Sequence, residues 1–217
     1  MSIERVHEAR RAKEFGLSRT APVIAAVFVK PFGVAKARLG DRLSAERRAH
    51  LGMAIAARTL STAADAGADV VVVVTADAAV ARWAANLGFG AARDPGNGLN
   101  AAATFAHSRS VEMKMTCVLL HADLPVISRS DMVAFFTAAR HGPAIAPSYD
   151  GGTSAISAPR DITFSYGEAS FSRHLAQMPR ATVVVRPGLA LDLDTSQDLD
   201  RALAHPGGNW LRLAIGE

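Results

Sequence analysis

The sequence predicts an α/β protein built on a mainly parallel, doubly wound sheet, with an antiparallel element added late in the chain. Three observations carry that expectation. Strand-length apolar runs alternate with helix-period stretches as β-α-β-α-β-α-β through the first part of the chain. Those runs are continuously apolar, as inner strands covered on both faces are. The later runs are joined by shorter links, which suit antiparallel neighbours.

Each element has its own local reason. Residues 22–29 form an apolar run of strand length, followed over 30–39 by a loop holding Pro31, Gly33 and the cations Lys30, Lys36 and Arg38. Leu51, Ile55, Ala56 and Leu60 keep helical spacing behind Ser44, so 44–65 is read as helix. Five consecutive valines at 70–74 make the clearest buried strand. A helix starting near Asp77 places Val80, Trp83, Ala84 and Leu87 on one face and stops at Gly88. Residues 90–93 suit a short strand, 94–98 (Asp-Pro-Gly-Asn-Gly) a turn, and 99–107 a helix. The strand at 117–122 ends before Pro125, which biases Leu124 away from helix. A helix over 130–140 follows, capped by Ser128 or Ser130. Residues 143–147 read as a short strand, 150–157 as a glycine turn leading into another, 164–174 as a loop entering a helix, and 181–186 as a strand. Residues 189–194 alternate, as an extended segment does, and Ser196 begins the last helix.

With 217 residues the chain is long enough for one sizeable core, so 21–217 is read as a single domain. Residues 1–20 form an N-terminal basic extension with Arg5, Arg10, Arg11, Lys13 and Arg19, and no chemistry is assigned to it. The net charge of +4 is concentrated there and between Lys30 and Arg48. Such clustering invites a polyanion. Exposed aromatics interleaved with basic stripes would be needed for nucleic acid, and the two Trp, two Tyr and nine Phe lie mostly inside apolar runs. Phosphate on a small molecule is the better match, with no nucleic-acid partner expected. A single cysteine excludes an intramolecular disulfide and fits a reducing, cytoplasmic setting. No stretch has the length of a membrane span and no apolar core follows the N-terminal charges, so neither membrane nor signal peptide is expected.

Three groups of residues could carry chemistry. Lys30, Lys36 and Arg38 follow the first strand and could converge on phosphate oxygens. Asp123 sits at the carboxyl end of a parallel strand, the edge where open α/β sheets bind ligands. Asp192 and Asp194, two apart in an extended segment, share one face. Together the three acids suit an oxygen-only Mg2+ site. The alternative is that Asp194 or Thr195 merely caps the last helix, with Thr195 and Asp198 forming a capping box, and both can hold at once. Gly151, Gly152 and Thr153, with Gly167 and Ser170, offer close backbone approach and hydroxyls to a small anion; taken alone, a tight turn is the better explanation of each. The P-loop, the dinucleotide fingerprint, the nucleophile elbow and the zincin motif are all missing.

An ordered series of motifs then resembles one family. It runs through residues 29–39, Asp94 with 98–100, 122–125, 151–153, 166–171 with His174, and 191–195 with Asp198 and Leu199. The chain is similar along 22–204 to the 2-phospho-L-lactate / phosphoenolpyruvate guanylyltransferases of coenzyme F420 biosynthesis. These are relatives of the molybdenum-cofactor nucleotidyltransferases. The resemblance implies a Rossmann-like, nucleotide-diphospho-sugar transferase-like fold and transfer of GMP from GTP to a small phosphorylated carboxylic acid, with pyrophosphate leaving. It implies that Asp123, Asp192 and Asp194 bind Mg2+, and that Lys30, Lys36 and Arg38 lie against the GTP phosphates. Leu99 and Asn100 would lie near the nucleoside, and Thr153, Gly167 and Ser170 would hold the acid. Lys36, Arg38 and Asp123 would be the catalytic set, acting by position and charge with no protein nucleophile. The family usually reads Phe-Gly where this chain has Tyr166-Gly167, and Ser154 adds a hydroxyl next to the acid site. The same chemistry on 3-phospho-D-glycerate or another acceptor, and a non-catalytic nucleotide-binding module, stay open. Oligomeric state is open too, a homodimer included.

Overall fold

In the computed structural model, residues 21–34 and 36–216 are described; the basic extension over 1–20 lies outside them. Seven strands form one sheet: β1 (Val23–Phe28), β2 (Val70–Thr75), β3 (Gly90–Arg93), β4 (Thr116–His121), β5 (Ala144–Pro147), β6 (Thr153–Ser157) and β7 (Thr182–Val183). Their order is β3-β2-β1-β4-β6-β5-β7. β6 alone among them is reversed, antiparallel to both β4 and β5. The neighbours β1/β2, β1/β4, β2/β3 and β5/β7 are all parallel. The expected parallel sheet with an added antiparallel element is what forms.

Helices cover both faces: α1 (Ala45–Asp65), α2 (Ala78–Asn86), α3 (Leu99–Glu112), α4 (Arg129–His141) and α5 (Ser170–Gln177). Three more follow as α6 (Pro187–Ala190), α7 (Ser196–Ala204) and α8 (Trp210–Ile215). Alternate residues of each central strand go to opposite cores. Val23, Ala25 and Val27 of β1 join Val118 and Leu120 of β4 under α1 and α4. Ile24 and Ala26 join Cys117 and Leu119 on the other face, against α3 and α5. That double burial is why the strand sequences do not alternate. A third cluster, including Leu51, Leu193, Leu199 and Leu211, ties α1 to the C-terminal helices.

The helix starts follow their capping residues. Ser44 accepts from the Arg47 amide, and Asp77 from Ala79 and Val80. Ser128 with Asp131, and Thr195 with Asp198, form full capping boxes.

Four expectations change. The strand read over 181–186 shrinks to Thr182–Val183; the Val184 amide still bonds the Ile145 carbonyl at 2.8 Å, and the chain then runs into the helical turn that starts at Pro187. Of the expected extended segment 189–194, Leu189 and Ala190 lie in the helical turn Pro187–Ala190 and 191–194 belong to no strand, so Asp192 and Asp194 do not sit at a strand end. The helix at 99–107 continues to Glu112. The helix starting at Ser196 is not the last: α8 follows the breaker at Pro206–Gly208 and buries Leu211 and Ile215.

The order β3-β2-β1-β4 reverses direction between β1 and β4, which opens a crevice at their carboxyl ends. The loops leaving β1 and β4 therefore meet there.

Candidate functional site

A cavity of about 430 Å³ occupies that crevice. Its wall includes Phe28, Lys30, Phe32 and Lys36 from the β1 end, Thr75 from β2, the turn at Asp94, Gly96, Gly98 and Leu99, and His121, Asp123 and Asp194. The volume lies in the range of small-molecule sites.

Lys36 is its electrostatic centre. Its side chain is only 7% exposed, with Nζ 3.1 Å from Asp123 Oδ2 and 3.4 Å from Asp194 Oδ1. Burial opposes its charge, but Asp123 and Asp194 outweigh that and raise its pKa above the usual lysine range. Burial likewise opposes the Asp123 carboxylate; the Lys36 charge and hydrogen bond, helped by His121, win and hold it at about 2. The Lys36 backbone is left-handed (φ 58°), an uncommon state for a side-chain-bearing residue, between the turns Phe32–Val34 and Ala37–Leu39.

Distant chain segments meet through one backbone bond. The Leu193 N–H donates to the Asp123 carbonyl at 2.9 Å. Leu193 is buried beneath it, so Asp192 and Asp194 flank the Asp123 position. The capping box of α7 holds the next residues, with the Thr195 amide donating to Asp198 Oδ2 at 2.9 Å.

The acids do not form a three-carboxylate cage. Among the described residues no group of three His, Cys, Asp or Glu side chains stands close enough to hold one ion. Asp123 and Asp194 share Lys36, while Asp192 is half-buried and not part of the cavity wall. Loss of water, then the charges of Asp123, Asp150 and Asp194, push the Asp192 carboxyl up to about 7. For Mg2+ the donor chemistry fits with two acids. Asp123 Oδ1 is sealed from solvent without a hydrogen-bond partner, and Asp194 is a second hard oxygen donor on the same cation. Mg2+ commonly takes one or two carboxylates and completes its shell with water and substrate phosphates.

The other expected residues are placed as follows. Lys30 is exposed on the cavity wall and Leu99 lines it at the start of α3. Arg38 is exposed on the turn after Lys36 and is not among the lining residues. Asn100 faces the loop before α5, its Oδ1 accepting from the Tyr166 amide at 2.6 Å. Thr153, at the start of β6, and Ser170, the first residue of α5, come together: Ser170 Oγ lies 3.3 Å from Thr153 Oγ1. Both are buried, and Gly167 (φ 116°) turns the loop above them. The Ser154 hydroxyl donates to the Ala146 carbonyl at 3.2 Å, so its hydrogen is spent within the sheet.

Two features escaped the residue-by-residue reading. His121 lines the cavity, and its Nε2 is sealed and unpartnered. Burial, with the charges of Lys30 and Lys36, depresses its pKa against the pull of Asp123 and Asp194. Its place two residues before Asp123 was the available signal. The turn after β3 also belongs to the wall, Asp94 Oδ1 accepting from Gly96 N–H at 2.8 Å. A glycine-rich turn between a strand's carboxyl end and a helix could have marked it. His174, part of the motif series, is buried and bonds Thr153. Cys117 is buried, which pushes its thiol up to about 11 and leaves it inert.

Known proteins match this arrangement along nearly the whole chain. The family profile described as "Guanylyl transferase CofC like" matches residues 23–212. A phosphoenolpyruvate guanylyltransferase of Rubrobacter xylanophilus is 37% identical over 195 residues, 85% of this chain and 95% of its own. One from Nocardia farcinica is 36% identical over 208 residues, 91% of this chain and 92% of its own. Among solved structures, a putative nucleotide-diphospho-sugar transferase from Desulfovibrio desulfuricans G20 superposes with a TM-score of 0.72, at 21% identity over 88% of this chain and 94% of that one. The UTP-bound UGPase of Acinetobacter baumannii gives 0.55 at 12% identity, covering 90% and 99%. At those identities the two structures speak for the fold alone. No helix among the described residues is long and apolar enough to cross a membrane. Because profile and relatives both span the crevice and every loop that builds it, the chain belongs to the CofC-like guanylyl transferase family.

Proposed function

We propose that the protein transfers the guanylyl group of GTP to the phosphate of a small phosphorylated three-carbon acid, with pyrophosphate leaving, as a step of coenzyme F420 biosynthesis. Phosphoenolpyruvate is the first candidate acid and 2-phospho-L-lactate the second. One observation carries the reading: in a chain of this family, a cavity at the β1/β4 switch point sets Lys30 and Lys36 against Asp123 and Asp194.

The chemistry needs no protein nucleophile. A phosphate oxygen of the acid attacks the α-phosphorus of GTP in line, forming a P–O bond as the bond to pyrophosphate breaks. Lys30 and Lys36 neutralise charge that builds on the triphosphate. Asp123 and Asp194 would hold Mg2+, which when bound supplies further charge neutralisation on the phosphates and fixes their orientation. Asp94, Gly96, Gly98 and Leu99 line the cavity at the start of α3, and the nucleoside would lie against them. Thr153, Gly167 and Ser170 would hold the acid's anionic group. The low dielectric around the buried Lys36 strengthens its attraction for phosphate relative to bulk water.

The test is a grid of nucleotides against acids with Mg2+ present, read as pyrophosphate release. GTP with phosphoenolpyruvate or 2-phospho-L-lactate should release pyrophosphate. Release only with 3-phospho-D-glycerate would move the acceptor assignment. Silence with every nucleotide would remove the activity.

A further inference from the structure

We infer that His174 is a positioning residue for the acceptor: it locks one tautomer and thereby turns a buried hydroxyl hydrogen of the Thr153–Ser170 pair toward the bound acid. The inference rests on the proposed acid site at Thr153 and Ser170.

The direction of each bond follows from the one donor that cannot change. The Ser165 backbone N–H donates to His174 Nε2 at 2.9 Å. A ring nitrogen that accepts carries no hydrogen, so the neutral ring is protonated at Nδ1. Nδ1 lies 3.0 Å from Thr153 Oγ1, which therefore accepts. Thr153 and Ser170 bring two hydroxyl hydrogens to the single 3.3 Å contact between them. Among the described residues neither hydroxyl has another partner, so one hydrogen is left over.

All three side chains are fully or almost fully buried: His174 at 0%, Ser170 at 1% and Thr153 at 2% exposure. A spare buried donor is costly to leave unmade and suits an anion's oxygen. Were the imidazole protonated at Nε2 instead, Nδ1 would accept from Thr153 and consume that hydrogen. The surroundings keep the ring from becoming doubly protonated: burial, with the Arg173 charge, lowers its pKa to about 4. Phe164 and Tyr166 pack edge-on against it, with ring centroids 6.1 Å and 5.0 Å away, and hold its plane.

Two variants separate the two ends of the ring. His174→Asn keeps a donor at the δ position facing Thr153. His174→Gln keeps an acceptor at the ε position for Ser165 and loses the δ donor. His174→Gln should raise KM for the acid by about tenfold, the worth of one buried hydrogen bond, and leave KM for GTP unchanged. His174→Asn should keep the acid's KM within about threefold of the parent. Equal KM values in His174→Gln and the parent, or a larger rise in His174→Asn than in His174→Gln, would overturn the positioning role. Thr153→Val tests the site itself: an unchanged KM for the acid removes the acid-site reading, whereas a raised one beside a normal His174→Gln removes only the role of His174. Nitrogen-15 NMR of the unmutated protein should show the Nδ1–H tautomer at His174; the Nε2–H form would sink the inference without any variant having to fold.

Discussion

Lys36 and Ala169 both carry left-handed backbones, φ 58° and φ 51°, without being glycine, one on the cavity wall and one just before Ser170. Each such residue costs about 1 kcal/mol or more and persists only where its surroundings hold it. At Lys36 the restraint is visible in its bonds to Asp123 and Asp194. Lys36→Ala should therefore lower kcat by roughly 10²- to 10³-fold, as loss of one preorganised stabilising donor does, measured by steady-state pyrophosphate release. His174 gives a pH signature. Its pKa falls from 6.5 to about 4 on folding, so between those values the unfolded chain binds more protons and stability rises with pH. The contribution is whole above the unfolded value and drains away as pH drops toward 4. Urea unfolding should show about 2 kcal/mol less stability at pH 5 than at pH 7 from this group, and His174→Gln should flatten that difference. The residue types of these groups were plain in the sequence. Their states were not, because burial of His174 and the pairing of Lys36 come from segments far along the chain.

At the scale of elements, the site depends on how α7 begins. Thr195 and Asp198 cap it reciprocally, and Asp198 Oδ2 also accepts from the Asp194 amide at 3.3 Å. The cap thus restrains the backbone that presents Asp194. Capping and ligation were competing readings of these residues, and the geometry supports capping while leaving Asp194 turned to Lys36. Thr195→Ala should cost about 1 kcal/mol in denaturant unfolding. It should also lower kcat by several-fold if the cap positions Asp194; a stability loss with unchanged kcat would confine Thr195 to structure. The strand ends β1 and β4 were legible because their apolar runs and Pro125 mark them. The segment 189–194 reads as strand-like because alternation records burial, not ladder partners. Leu191 and Leu193 are buried against the C-terminal helices with no strand beside them.

For the whole molecule, the decisive feature is where the sheet reverses. β1 lies between β2 and β4, so the two loops with most of the site's charge share one crevice. A ligand bound there bridges both halves of the sheet and should stabilise the whole fold. GTP with Mg2+ at about 100-fold its Kd should add about 2.7 kcal/mol, seen as a rise in Tm. Chelation with EDTA should remove most of that shift, and Asp123→Asn should make the Tm response to GTP insensitive to Mg2+. A chelator-independent shift in the unmutated protein would count against a metal between Asp123 and Asp194.

Taken by itself, the sequence determined the α/β alternation, the single reversed element, the main helix starts and the residue types that meet at the β1 and β4 ends. Those follow from local rules: apolar runs, capping chemistry and glycine turns act within a few residues. Only the tertiary structure decided that two acids and not three gather on Lys36, that Ser154 is spent on the sheet, and that His174 faces inward to Thr153. Those are statements about side chains brought together across as many as 158 positions of chain, as Lys36 and Asp194 are. Their pairing depends on crossovers and burial, which no short window of residues records.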